Sequence, residues 1–237
     1  IKNNNVGENG YGAGLYSFNC TGTVSRNIFF NNTATYGSAV RLNHGAINFY
    51  NNTLWNNDLI DWGVVYVRSS DHRVINNIIW DNYDGEFSYI RDNDNDPTIT
   101  YNIVKNGYDG TGNISDDPQF YDADNGDFRL TASSPAIDAG DPDLDDDGED
   151  YSTDEDDQDP DGTRMDMGAD LNRFYSISDA RALDLDVAVT IEGVVTSHNR
   201  GTTYTFYCIQ DSTAGIWFYL ADTVLNFKLG DALRISG

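Results

Sequence analysis

Asp143-Leu-Asp145-Asp-Asp147-Gly148 and Asp157-Gln-Asp159-Pro-Asp161-Gly162 spell one pattern twice, Asp-x-Asp-x-Asp-Gly. Carboxylates at alternate positions bring three hard oxygen ligands to one cation, and the glycine admits the sharp turn that returns the next ligand. In the first copy Asp154 stands at the twelfth place, where a calcium loop of the EF-hand kind carries a bidentate acid. In the second copy that place is Gly168, so closure falls to Asp166. No helical pattern flanks either copy, so the comparison is with calcium loops in general. Without a cation, so many adjacent carboxylates repel one another. The expected cofactor is therefore Ca2+, held by Asp143, Asp145, Asp147 and Asp154 in one site and by Asp157, Asp159, Asp161 and Asp166 in another. The competing reading is a solvated acidic linker, which fits one copy better than two.

A second set of residues suits sugar. Phe30, Trp55 and Trp80 recur at a 25-residue offset, one position beyond Phe29, Leu54 and Ile79. Alternation along a strand turns the first set outward where the second points in. Stacked outward rings suit the apolar faces of a glycan, or else they cover one another under a loop. For catalysis, the best acid pair is Asp58 and Asp61, beside Trp55 and Trp62, and the best mixed cluster is Asp71-His72-Arg73. Polysaccharide cleavage needs paired acids or a base beside a held substrate. Neither group forms a recognisable hydrolase or lyase motif, and turn composition accounts for both, as it does for Asn43-His44-Gly45. The Asn-x-Ser/Thr sites at Asn19, Asn31, Asn51 and Asn113 are expected by chance in so Asn-rich a chain.

The elements that would position these residues follow from a repeat. Asn27, Asn52, Asn77 and Asn102 are each 25 residues apart. At the same offset Val24, Phe49, Val74 and Ile99 form one apolar column, and Phe29, Leu54, Ile79 and Val104 another. A fixed period of this length marks a solenoid, in which each repeat buries its apolar face against its neighbours. Short runs of β-branched and aromatic residues between Asn, Gly and Asp exclude a helical solenoid. Gly12-Ala-Gly-Leu-Tyr16, Gly37-Ser-Ala-Val-Arg41 and Gly63-Val-Val-Tyr-Val67 repeat on the next face, the last with one extra residue assigned to a loop. The expected fold is all-β, a right-handed parallel β-helix of about 25 residues per coil with three short strands each.

Charge narrows the function classes. The chain has 237 residues and a net charge of −25, which argues against nucleic acid, whose phosphates need a basic surface. Residues 138–170 hold 16 acidic side chains and one basic, Arg164. No apolar run reaches membrane-spanning length. Cys20 and Cys208 fall in different expected domains, so an intrachain disulfide is not expected. The chain opens at Ile1-Lys-Asn-Asn without a signal peptide, and further coils or a cap are expected before it.

Four runs in order carry a family resemblance: Asp96-Pro-Thr-Ile-Thr-Tyr-Asn-Ile-Val, Gly110-Thr-Gly-Asn-Ile-Ser-Asp-Asp-Pro-Gln-Phe120, Asn125-Gly-Asp-Phe-Arg-Leu130 and Ser134-Pro-Ala-Ile-Asp-Ala-Gly-Asp-Pro142. With Asp161-Gly-Thr-Arg-Met-Asp-Met-Gly-Ala169, residues 1–170 resemble the C-terminal end of bacterial secreted β-helix proteins of the choice-of-anchor type. The resemblance implies an exported or surface protein and no particular reaction, because fold does not settle function. After Phe174, runs such as Val187–Thr196 and Thr203–Asp211 read as antiparallel strands and look like an extracellular OB-fold module, truncated at about four of its five strands. The expected domains are 1–137, β-helix coils and their end; 138–174, an acidic calcium segment; and 175–237, a partial OB-like barrel. The function expected is an extracellular, calcium-stabilised module, adhesin-like or glycan-binding and non-catalytic here. The alternative is a polysaccharide lyase or glycoside hydrolase with catalytic coils upstream.

Overall fold

The computed structural model describes residues 1–68, 71–82, 88–90, 96–159, 162–169, 175–182, 190–200, 205–220 and 227–236. The chain is all-β with parallel sheets in its first part, and it forms two compact units, Ile1–Leu171 and Asn172–Gly237.

The 25-residue interval is the sheet register of the first unit. Ile28–Phe30, Thr53–Trp55, Ile78–Trp80 and Ile103–Val104 lie side by side in parallel, pairing Phe29 with Leu54, Leu54 with Ile79 and Ile79 with Val104. A second parallel sheet carries Leu15–Ser25 on Val40–Tyr50, which in turn carries Val65–Arg68 and Arg73–Ile75. A third pairs Thr33–Tyr36 with Asp58–Trp62. Both apolar columns face the shared core: Phe29, Leu54, Ile79, Phe49 and Val74 are completely buried, and Val24 packs at the edge. The stack works because parallel pairing at a constant offset puts one apolar side chain per repeat into each core row.

Polar ladders run beside the apolar ones. The backbone N–H and Nδ2 of Asn52 both donate to Asn77 Oδ1, and Asn77 does the same to Asn102. Each amide also donates back into a neighbouring strand, as Asn77 Nδ2 does to Phe49 O at 3.0 Å. These bonds satisfy backbone groups that the bend would otherwise strand inside the core. A second ladder of Asn32, Asn57 and Asn82 does the same work at the next corner. The ladder ends by a shortcut. Asn102 donates to Asn113 Oδ1, only 11 residues on.

One register differs from expectation. The extra residue is taken up within Asp58–Trp62, where Ala34 pairs with Leu59 but Tyr36 with Trp62. The glycine turn gives it back, so Val40 pairs with Val65 rather than with Tyr66. Position in the sheet, not distance from the glycine, sets the alignment, because a one-residue slip would turn every side chain to the wrong face.

Of the acidic segment expected over 138–174, residues up to 171 fall within the first unit, and bonds tie them to its strands. Asn51 Nδ2 donates to Asp166 O, Asp141 N–H to Asn76 Oδ1 and Gly168 N–H to Asn76 O. Met167 packs with Ile78, Ile103, Leu130 and Ala136. Gly168 has φ +97, and a Cβ there would lie 2.7 Å from Ile78 Cδ1, so the chain can pass this close only as glycine.

In the second unit four antiparallel strands lie in the order Gly215–Leu220, Thr205–Gln210, Thr190–Arg200, Ala232–Ser236. Their core holds Ile191, Val195, Tyr207 and Ile209 with Ile177 of the short helix Ile177–Ala180. Among the described residues these strands form no closed barrel. Cys20 and Cys208 are both free thiols. No described helix is long and apolar enough to cross a membrane.

Candidate metal centre

The acidic loop is anchored from the sheet by one arginine. Arg73 Nη2 donates to Leu144 O at 2.7 Å and pairs with Asp146 at 2.9 Å. Beyond that anchor the backbone folds around its own carboxylates. Asp147 N–H donates to Asp145 Oδ1, Gly148 N–H to Asp143 Oδ2 and Glu149 N–H to Asp147 Oδ1. Asp146 at φ +65 and Gly148 at φ +90 make the turn this requires. Each aspartate thus spends one oxygen on the loop, and its other oxygen can serve a cation.

Asp157 closes the group. It comes from the single-turn helix Glu155–Asp157, capped by Asp154, whose side chain accepts from Asp156 N–H. Its Oδ1 accepts Leu144 N–H at 2.6 Å. The residue is 1% exposed, its Oδ2 has no hydrogen-bond partner, and the buried Oδ1 of Asp143 has none either. Ligand oxygens of Asp143, Asp145 and Asp157 all lie within 4.8 Å of one another, as do those of Asp145, Asp147 and Asp154. Asp145 belongs to both sets. Burial first, then the charges of Asp154, Asp145 and Asp143, push the Asp157 carboxyl up to about 6 against the pull of the Leu144 N–H. Burial likewise raises Asp141. Carboxylates crowded in this way, with orphaned buried oxygens, could supply several of the oxygen ligands that a hard divalent cation takes. A cleft of about 280 Å³ opens beside them, lined by Thr23, Asn48, Tyr50, Arg73 and Asp145.

The grouping corrects the sequence assignment. Asp157 joins the first motif rather than heading the second, because the intervening chain turns back through the Glu155–Asp157 helix. Asp159 and Asp166 instead meet Asp138, again within 4.8 Å. Asp138 donates its N–H to Asp166 Oδ1 at 2.8 Å and accepts from Thr163 Oγ1. Asp138 stands outside both Asp-x-Asp-x-Asp-Gly motifs, so their spacing could not have found it. Asp161 lies outside the described residues.

The aromatic stripe is in register as expected, Phe30 beside Trp55 beside Trp80. It is not an open platform. The hairpin of Phe120–Asp122 and Asp127–Leu130 lies on it: Phe128 meets Phe30 at 5.8 Å and Trp55 at 6.1 Å, and Phe120 meets Trp55 at 5.7 Å, all edge to face. All three rings are half-buried, and Lys105 Nζ lies 5.8 Å from the Trp80 ring. Edge-to-face packing of this kind is ordinary core cohesion.

Of the catalytic candidates, Asp58 is exposed at the start of its strand, and the side chain of Asp61 lies outside those described. The Asp71-His72-Arg73 cluster is split. His72 is buried with Nδ1 accepting Ile47 N–H, Arg73 holds the acidic loop, and Asp71 faces solvent. No family model, curated protein or solved structure matches the chain.

Proposed function

We propose that this chain is a calcium-stabilised right-handed parallel β-helix module of a secreted or cell-surface bacterial protein, adhesin-like or glycan-binding, non-catalytic in this stretch, and followed by a partial OB-like module. The observation that carries it is Asp157, a buried carboxylate with an unpartnered oxygen among three other acids. A buried charge of this kind is stable only when paired or coordinated. Calcium answers the need better than a softer metal, because every candidate ligand is an oxygen. The parallel stack at a 25-residue register supports the β-helix, and the secreted setting rests on the resemblance of residues 1–170 to exported proteins.

Calcium would tie the loop of Asp143 and Asp145 to Asp157, within a segment that Arg73 and Asn76 already hold on the sheets. A ligand bound only by the folded state adds stability by mass action, about 2.7 kcal/mol at a hundred times Kd. Melting in chelator and in millimolar calcium tests the reading. The expected result is a rise of roughly 5–10 °C with calcium. Identical curves would return the segment to the linker reading.

A further inference from the structure

Away from the acidic segment, the buried guanidinium of Arg41 has no counter-charge among the described residues. Arg41 lies between Val40 and Leu42, both completely buried in the core, so alternation turns it to the outer face. It is nevertheless only 6% exposed. Tyrosines enclose it: the Tyr11 ring centroid is 4.0 Å from Cζ, Tyr66 4.7 Å, Tyr36 5.5 Å and Tyr16 5.6 Å. Tyr16, Arg41 and Tyr66 are sheet neighbours in register, and Tyr11 and Tyr36 pair on the adjoining strand. The Nε and Nη1 groups are sealed from solvent without a hydrogen-bond partner, and Arg41 has no ion pair among the described residues.

The rings offset part of the cost of burying this charge through cation–π attraction, but they accept none of its N–H bonds. The unfilled need is for anionic oxygens, which the planar guanidinium fork matches in pairs. The two outer walls, Tyr11 and Tyr16, are 46% and 44% exposed and stand 5.8 Å apart. Tyr11, 46% exposed and 4.0 Å from Cζ, is the ring whose change of rotamer would open the guanidinium to a ligand. Flat apolar faces around an anion-seeking fork suit one unit that has both a C–H face and a negative group. The local charge permits approach. Residues 1–80 carry five Lys or Arg and four Asp or Glu, in contrast to the strongly acidic remainder.

We propose that Arg41, walled by Tyr11 and Tyr16, is a binding site for an anionic saccharide, a sugar unit bearing a carboxylate or a sulfate. The inference deepens the glycan-binding side of the proposed function and is independent of calcium. Affinity electrophoresis at fixed millimolar calcium tests it, with polygalacturonate, dextran sulfate and neutral dextran in the gels and soluble polyglutamate as competitor. Wild-type protein should be retarded by polygalacturonate, by dextran sulfate or by both, and not by dextran. Which of the two retards it decides between carboxylate and sulfate. Arg41→Met should abolish retardation, and Tyr11→Ala and Tyr16→Ala should each weaken it about tenfold. Those two exposed positions decide the matter if Arg41→Met fails to fold. Asp157→Asn should leave retardation intact while removing the calcium-dependent rise in melting temperature, which keeps the two readings separable. Retardation by neither polyanion, equal retardation by dextran, or full competition by polyglutamate would overturn the site. So would retention that survives Arg41→Met but vanishes in Asp157→Asn, which would place the polyanion on the calcium.

Discussion

Asp157 and His72 are both buried ionisable groups, and they are set up in opposite senses. Asp157 is crowded by like charge, so its environment asks for a cation. Asp157→Asn should therefore melt no lower than wild type in chelator, because it removes repulsion, yet lose most of the calcium-dependent gain. A differential scanning measurement of both proteins in both buffers checks the crossing pattern. His72 instead is kept neutral: burial, the largest influence, holds its pKa down at about 4 despite Asp71. Unfolded histidine takes its proton near pH 6.5, so between pH 6.5 and 4 the unfolded chain binds more protons than the folded one. The stability that neutral His72 contributes is present above pH 6.5 and lost as pH falls toward 4, roughly 3 kcal/mol over the full range. His72→Asn keeps an acceptor for Ile47 N–H and cannot titrate. Urea midpoints of this variant should fall less steeply between pH 6.5 and 5 than those of wild type; equal slopes would contradict the assignment.

The elements are held by amide ladders and by the hairpin laid over the aromatic stripe. Asn77 is fully buried, donates to Phe49 O, Ile75 O and Asn102 Oδ1, and accepts from Asn52. Asn77→Ala orphans several buried groups at about 1–3 kcal/mol each, so a loss of at least about 3 kcal/mol is expected by chemical denaturation. Asn56→Gly, which removes the exposed bond to Asn31 and suits the φ of +49 at this position, should cost under about 1 kcal/mol. Phe128 is almost fully buried against Phe30 and Trp55. Phe128→Ala should cost about 3–5 kcal/mol and red-shift tryptophan emission as Trp55 meets water. An unshifted spectrum would mean that the hairpin is not the cover. Much at this scale was legible in the sequence, because a constant offset in Asn27, Asn52, Asn77 and Asn102 is the same information as parallel register. The ladder of Asn32, Asn57 and Asn82 obeys the same offset and could have been found by the same count. The cover over Trp55 could not, since Phe120 and Phe128 carry no periodic mark and reach the stripe only through tertiary packing.

For the molecule as a whole, each unit has its own core, the first around Phe29, Phe49 and Leu54, the second around Tyr207 and Ile209. A chain ending at Leu171 should keep the calcium-dependent rise in melting temperature, because every described carboxylate of the centre lies before that point. The acidic motif was visible in sequence as chemistry but not as geometry. Spacing placed Asp157 with Asp159, whereas folding places it with Asp143 and gives Asp159 to Asp138 and Asp166. Linear motifs report which atoms are available, and the return of the chain decides which of them meet. The central claim is that a cation completes the group around Asp157. A crystal grown in millimolar calcium, with anomalous scattering recorded at a wavelength where calcium contributes, tests it most directly. The account predicts a peak about 2.3–2.6 Å from Asp157 Oδ2 and from carboxylate oxygens of Asp143 and Asp145. A featureless anomalous map there, with only water beside Asp157, would contradict it.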